Sequence, residues 1–180
     1  EMNRLGMMVD VSHVSDETFY DVLELSRAPV IASHSCARAL CDHPRNLSDA
    51  MLRALRGKNG VIQMCVLGSY VKRAGTNPER KAALKKLRDQ YGDYQSLSEV
   101  QRREYSCKRR IIDKDYPAST ATVSDVVDHI DHIVRVAGID HVGIGTDLDG
   151  GGGLDGCQDV SDAGNITVEL VRRGYTEQQI

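Results

Sequence analysis

The sequence predicts an α/β fold on a parallel sheet, and three observations carry that prediction. Short, continuously apolar runs ("GMMVDV", "APVIAS", "GVIQMCV", "HVGIGT") alternate with segments whose apolar residues recur at helical spacing. Runs without a polar side belong to strands covered on both faces, as in parallel sheets flanked by helices. His13, His34 and Asp147, residues of metal-ligand or acid/base type, each stand at the carboxyl end of such a run. The alternation fits either an open doubly wound sheet or part of a (β/α)8 barrel. The strand-end residues favour the barrel, where chemistry gathers at the C-terminal ends of several strands. Four units are legible, against the eight a barrel needs.

The first run, Met7 to Val11, reads as a buried strand that follows Gly6 and leads to His13. A Ser15 or Asp16 cap then opens a helix carrying Phe19, Val22, Leu23 and Leu25 at helical spacing. Pro29 to Ala32 repeats the pattern and ends on Ser33-His34. Ser48 caps a helix closed by Gly57, and Gly60 to Val66 is a third buried strand. Residues 68–121 break the rhythm with two helix-like segments rich in Lys, Arg and Glu, Pro78 to Tyr91 and Leu97 to Ile112, which read as a helical insertion on a strand-to-helix loop. "TVSDVVDHIDHIVRVAG" is a long amphipathic helix ended by Gly138. "HVGIGTDLDG" is a fourth strand, and a last helix runs from about Asp162 to Arg173.

The chain of 180 residues, 41% apolar and 27% charged, has the composition of a globular domain. A net charge of -3 argues against a nucleic-acid partner, because the basic run Lys81 to Arg88 is interleaved with Ala and Leu as on a solvated helix face. No stretch approaches the ~18 apolar residues of a membrane span. The five cysteines, Cys36, Cys41, Cys65, Cys107 and Cys157, are odd in number without CxxC spacing, and read as buried or partly buried thiols.

His13 and His34 lie 21 positions apart, one helix-and-loop excursion, so they occupy equivalent places on neighbouring strands. Two neutral imidazoles so placed can reach one divalent ion. Each alone reads better as a hydrogen-bonded structural histidine; the pair reads as metal ligands. Asp147, where the strand runs into glycines, can take a proton from a metal-activated water and return it. The bland alternative is that Asp147 and Asp149 only shape a glycine turn. The stretch lacks the third glycine of a dinucleotide fingerprint, and Gly151 and Gln158 stand where a calcium loop needs ligands. Arg45, in "CDHPRN", can pair bidentately with a substrate carboxylate, although a lone loop arginine is usually solvated. His129 and His132 are one helical turn apart but lack the glutamate of HExxH, and read as structural or surface residues remote from the strand ends.

Taken together, "LGMMVDVSHVS", "SRAPVIASHS" with "HPRN" after it, "DHIDHIVRVAGIDHVGIGTDLDG" and "DVSDAGNITVELVRRGYTEQQI" resemble the renal or membrane dipeptidases, peptidase family M19, within the metal-dependent hydrolase barrels. The resemblance covers nearly the whole chain except the insertion. It implies a (β/α)8 barrel with two zinc ions and a dipeptide substrate. By position, it implies that His13 and His34 hold the second zinc. Asp147 orients the nucleophilic water and passes its proton to the leaving amine, and Arg45 receives the dipeptide's C-terminal carboxylate. The family's first-strand His-x-Asp, its bridging glutamate and a further substrate-binding histidine have no counterpart here. The expectation is therefore a C-terminal half barrel, strands five to eight, over residues 1–180, a fragment with half a metal site. The other readings are another metal-dependent amidohydrolase, which Arg45 opposes, and a non-catalytic half barrel that self-associates as a homo-oligomer through open sheet edges. Location is expected to be exported or periplasmic if a signal lies upstream, and otherwise cytoplasmic.

Overall fold

The structure is a computed structural model and describes residues 1–73, 75, 77–116 and 121–180. In chain order the elements are α1 (Met2–Leu5), α2 (Asp16–Leu25), β1 (Ile31–Ser35), α3 (Asp49–Gly57), β2 (Val61–Cys65), α4 (Gly68–Val71), α5 (Pro78–Tyr91), α6 (Glu99–Asp115), α7 (Val123–Ala137), β3 (Val142–Thr146) and α8 (Gly164–Arg172). They divide into two units, Glu1–Arg73 with Ala121–Ile180, and Ala74–Thr120.

The first unit is built on a parallel sheet of order β1-β2-β3. Its register runs Ile31↔Val61 and Ile62↔Val142, with irregular pairing near the carboxyl ends, between Ala32 and Ser35 and between Met64 and Cys65. Such irregularities bend a strand and re-aim its side chains. The core lies between the sheet and the apolar faces of α3 and α7, where Leu52, Leu55, Ile62, Met64, Val126, Val127 and Ile133 are fully buried. Each such side chain contributes roughly 1.5–3 kcal/mol through apolar surface removed from water.

Local signals place the helices. Ser15 Oγ caps α2 through the Thr18 N–H, Ser48 caps α3 through the Met51 N–H, and Thr122 with Asp125 forms a capping box on α7. Gly60 lets β2 enter beside β1: a Cβ there would sit 2.7 Å from the Val30 carbonyl oxygen. At the far end, Arg173 ties α8 to α7, its Nη1 donating to Asp128 (2.6 Å) and Asp131 (2.7 Å) and its Nη2 to the Ser124 carbonyl (2.8 Å).

Two expectations need correction. The run Met7 to Val11 is not a buried strand. It joins the sheet only by a parallel bridge at Asp10↔Ile31, and Met7 and Met8 are 53% and 61% exposed. Among the described residues the sheet therefore has three strands and a bridged edge, not four full strands. On β1 and β2 only the face carrying Ala32, Ile62 and Met64 is fully covered, since the alternate residues Ile31, Ser33, Val61 and Gln63 are half-buried, and Ile144 on β3 stays 43% exposed. The physical reason is the same at both places: Met7 to Val11 and β3 lie at the sheet edges, and an apolar run is buried only if something packs on it.

The second unit contains the two helices expected within the insertion. Asn77 caps α5, Ser98 and Gln101 form a capping box on α6, and Arg80 of α5 pairs with Asp113 of α6 at 2.6 Å. Of the expected insertion 68–121, residues 74, 76 and 117–120 lie outside the described residues. Among the described residues no helix is long and apolar enough to cross a membrane.

Candidate metal and substrate site

His13 follows the edge bridge at Asp10, and His34 lies on β1 near its carboxyl end. Their Nε2 atoms are 2.8 Å apart, with ring centroids 4.8 Å apart and planes tilted by 58°. The backbone beneath is tied down by side chains. Ser12 Oγ accepts the His34 N–H (3.0 Å), and Asp10 Oδ1 accepts the N–H groups of Ser12 (3.0 Å) and Ser33 (3.1 Å). The Ser33 hydroxyl lies between Asp10 Oδ2 (2.5 Å) and His34 Nδ1 (2.8 Å). Partial burial pushes the Asp10 carboxyl upward, but the hydrogen bonds from Ser33 and Ser12 outweigh it and hold the group below the ordinary carboxylate range.

Arg45 is brought to the same place. Its Nε donates to the Ser12 carbonyl (2.8 Å), its Nη1 to the Tyr70 hydroxyl (3.1 Å), and its Nη2 lies 3.1 Å from His34 Nε2. The guanidinium also sits 5.4 Å from the Tyr70 ring centroid. The loop holding Arg45 is organised by fully buried Asn46, which accepts the Cys36 N–H and donates to the Cys41 and Tyr70 carbonyls. His43, 4.4 Å from the Tyr70 ring, has its pKa lowered by burial and by the Arg45 charge.

Asp147 stands just beyond β3 in a left-handed conformation (φ 65°), which an aspartate tolerates better than most residues. Its carbonyl accepts the N–H groups of Gly150 (3.2 Å) and Gly152 (2.7 Å), and a Cβ on Gly150 would overlap the Asp147 carboxylate. The glycines are thus what lets the turn close over Asp147. Its Oδ2 lies 4.0 Å from the thiol of Cys65, which is pushed up to about 11, chiefly by burial. Among the described residues, no hydrogen bond joins the Asp147 carboxylate to His13, His34 or Arg45.

Two nitrogens 2.8 Å apart lie within the span that a metal ion with ~2 Å metal–nitrogen bonds can bridge, and both are neutral donors when unprotonated. Among the described residues, no group of three or more His, Cys, Asp or Glu side chains is arranged to hold a metal. Among the described residues the chain therefore offers a pair of donor nitrogens rather than a closed site. His129 and His132 belong elsewhere. His129 is buried, accepting the Ala37 N–H at Nδ1 (3.0 Å) and donating from Nε2 to the Val71 carbonyl (2.8 Å), while His132 Nε2 pairs with Asp49 at 2.7 Å. Of the cysteines four are buried, but Cys107 on α6 is exposed, contrary to expectation, because it lies on a helix in which no residue is buried.

Asp10, Ser12, Ser33, Asn46 and Tyr70 were not legible as site residues. The one signal was Asp10 itself, a charge inside the apolar run "MMVDV".

Comparison with known proteins adds to this geometry. The model of the family described as membrane dipeptidase (peptidase family M19) matches residues 1–180. The chain is 35% identical over 182 aligned residues to a Schizosaccharomyces pombe protein named uncharacterized dipeptidase C965.12, covering all of this chain and 34% of that protein. It is 36% identical to Dipeptidase 3 of Rattus norvegicus, covering 28% of that protein. The chain thus spans about a third of the length of these curated relatives. Among solved structures, the probable dipeptidase PvdM from Pseudomonas aeruginosa superposes with a TM-score of 0.77 at 36% identity, over 99% of this chain and 48% of that one. A metallopeptidase from Rhodobacter sphaeroides, liganded with a phosphinate mimic of the dipeptide L-Ala-D-Ala, superposes with a TM-score of 0.70 at 27% identity, over 99% of this chain and 39% of that one. The α/β fold is therefore that of the M19 dipeptidase structures, and with the family match running from Glu1 to Ile180 the chain belongs to the membrane dipeptidase family, peptidase family M19.

Proposed function

We propose that the protein to which this chain belongs is a zinc-dependent dipeptidase, and that residues 1–180 supply the last four βα units of a (β/α)8 barrel with a helical insertion at about 68–121. The observation that carries the reading is the meeting of His13 and His34 through their Nε2 atoms, at 2.8 Å, in a chain of this family. In this reading both nitrogens hold one zinc ion of a pair, and the remaining ligands belong to the part of the relatives that this chain does not span. When bound, the metal supplies Lewis acidity and lowers the pKa of a water toward ~7.

The chain's own residues do the rest. Arg45 keeps Nε on the Ser12 carbonyl, which leaves the Nη1/Nη2 edge to turn from Tyr70 and His34 to the substrate's C-terminal carboxylate. Asp147 takes the water's proton on a carboxylate oxygen and passes it to the leaving amine. The buried Cys65 thiol beside it stays protonated at neutral pH and adds no competing charge.

The test is metal analysis and hydrolysis of an alanine dipeptide by the protein at full length, with and without chelator. Bound zinc, and hydrolysis that chelator abolishes and zinc restores, support the reading. Hydrolysis indifferent to chelator, or no cleavage of free dipeptides by zinc-loaded protein, would overturn it.

A further inference from the structure

The Asp10, Ser33 and His34 side chains form a chain whose proton positions are determined by one group. Asp10 Oδ1 is occupied by two backbone N–H donors, and Oδ2 faces the Ser33 hydroxyl. An ionised carboxylate only accepts, so the Ser33 proton must point at Oδ2. The Ser33 oxygen is then free only to accept, and the atom on its other side, His34 Nδ1 at 2.8 Å, must carry the N–H. A neutral imidazole protonated at Nδ1 has its lone pair at Nε2, the nitrogen that faces His13. An independent contact agrees: Arg45 Nη2, which can only donate, lies 3.1 Å from the same Nε2.

We propose that Asp10 is a positioning residue which, acting through the Ser33 hydroxyl, sets the tautomer and ring orientation of His34 so that Nε2 presents its lone pair to a divalent cation. The inference rests on the proposed function for its purpose, not for its hydrogen-bond logic. Residues that orient a metal-ligating histidine typically change metal affinity 10–100-fold when removed.

Asp10→Asn is the informative substitution, because it keeps the shape and reverses the polarity. Its Oδ1 remains with the Ser12 and Ser33 N–H groups, so its amide NH2 is the group that faces Ser33. The hydroxyl then accepts from Asn, and because His34 Nδ1 at 2.8 Å is a nearer acceptor than Ser12 Oγ at 3.4 Å, it donates to Nδ1, which moves the imidazole proton to Nε2. In metal-free protein at full length, with 15N-labelled histidine, the His34 Nε2 resonance is expected to carry a lone-pair signature in wild type and to shift toward an N–H signature in Asp10→Asn. An Nε2 resonance with the same signature in both proteins overturns the proposal. Zinc affinity is expected to fall 10–100-fold in Asp10→Asn and in Ser33→Ala; unchanged affinity in both overturns it too. His34→Ala separates this from the function itself. If that variant keeps its zinc, the assignment of His34 as a ligand fails, while the metal-free tautomer comparison still decides the role of Asp10.

Discussion

Arg45 and His34 meet at a single atom: the guanidinium Nη2 lies 3.1 Å from His34 Nε2, the same nitrogen that faces His13. A guanidinium cannot accept, so it occupies the lone pair that a metal would use. A cation bound by His34 would therefore release Nη2, and with it one half of a carboxylate-binding edge.

From this follows an expectation for Arg45→Lys. The lysine donates from one nitrogen and lacks the planar edge that meets both carboxylate oxygens while Nε stays on Ser12, so kcat/KM for a dipeptide should fall by roughly 10–150-fold, the worth of a charged hydrogen bond of ~1.5–3 kcal/mol. The dipeptide's C-terminal amide, which lacks the carboxylate, should lose much less. Steady-state kinetics on the two substrates check this, and equal losses would remove Arg45 from carboxylate binding.

His13→Ala should cost little stability, within ~0.5 kcal/mol, because the side chain is exposed and, among the described residues, hydrogen-bonds only to His34. Zinc content should nevertheless fall. Urea unfolding alongside metal analysis tests the pair of statements; retained zinc returns His13 to a merely structural role.

Asp147→Asn removes a proton acceptor without changing the shape of the glycine turn, whose bonds run to the Asp147 carbonyl. A loss in kcat of about 10²–10⁴-fold, with zinc content unchanged, is expected for a general base. Full activity in this variant would assign Asp147 to the turn alone.

The buried His129 predicts a pH dependence. Burial lowers its pKa, only partly offset by the Val71 carbonyl, and its Nδ1 must stay unprotonated to accept the Ala37 N–H. The unfolded chain therefore binds this proton at a higher pH than the folded one. Stability from this group is complete above the ordinary histidine value of ~6.5 and falls as pH drops below it, by at most ~1.4 kcal/mol per pH unit. Unfolding free energies between pH 7.5 and 5 should show a slope in wild type that is reduced in His129→Gln.

Arg173→Ala should destabilise the first unit by about 1–3 kcal/mol, since it leaves Asp128, Asp131 and Glu169 close together without their shared cation. Denaturant unfolding measures the loss, and zinc content should not change, because the cluster joins α7 to the end of α8 rather than to the histidine pair.

The features legible in the order of residues are local. The alternation of apolar runs and amphipathic helices, the caps at Ser15 and Ser48, and the place of His34 at the carboxyl end of a strand follow from backbone periodicity and short-range hydrogen bonds. A single chain displays these directly. The remaining features depend on contacts between residues far apart in the chain. That Met7 and Met8 are exposed depends on their lying at a sheet edge, which no run of apolar letters reveals. Arg45 reaches Tyr70 across 25 positions, Asp10 reaches Ser33 across 23, and His129 reaches Ala37 across 92. Those partnerships are set by strand register and by the requirement that buried polar groups be paired, and neither is written in the spacing of the residues themselves.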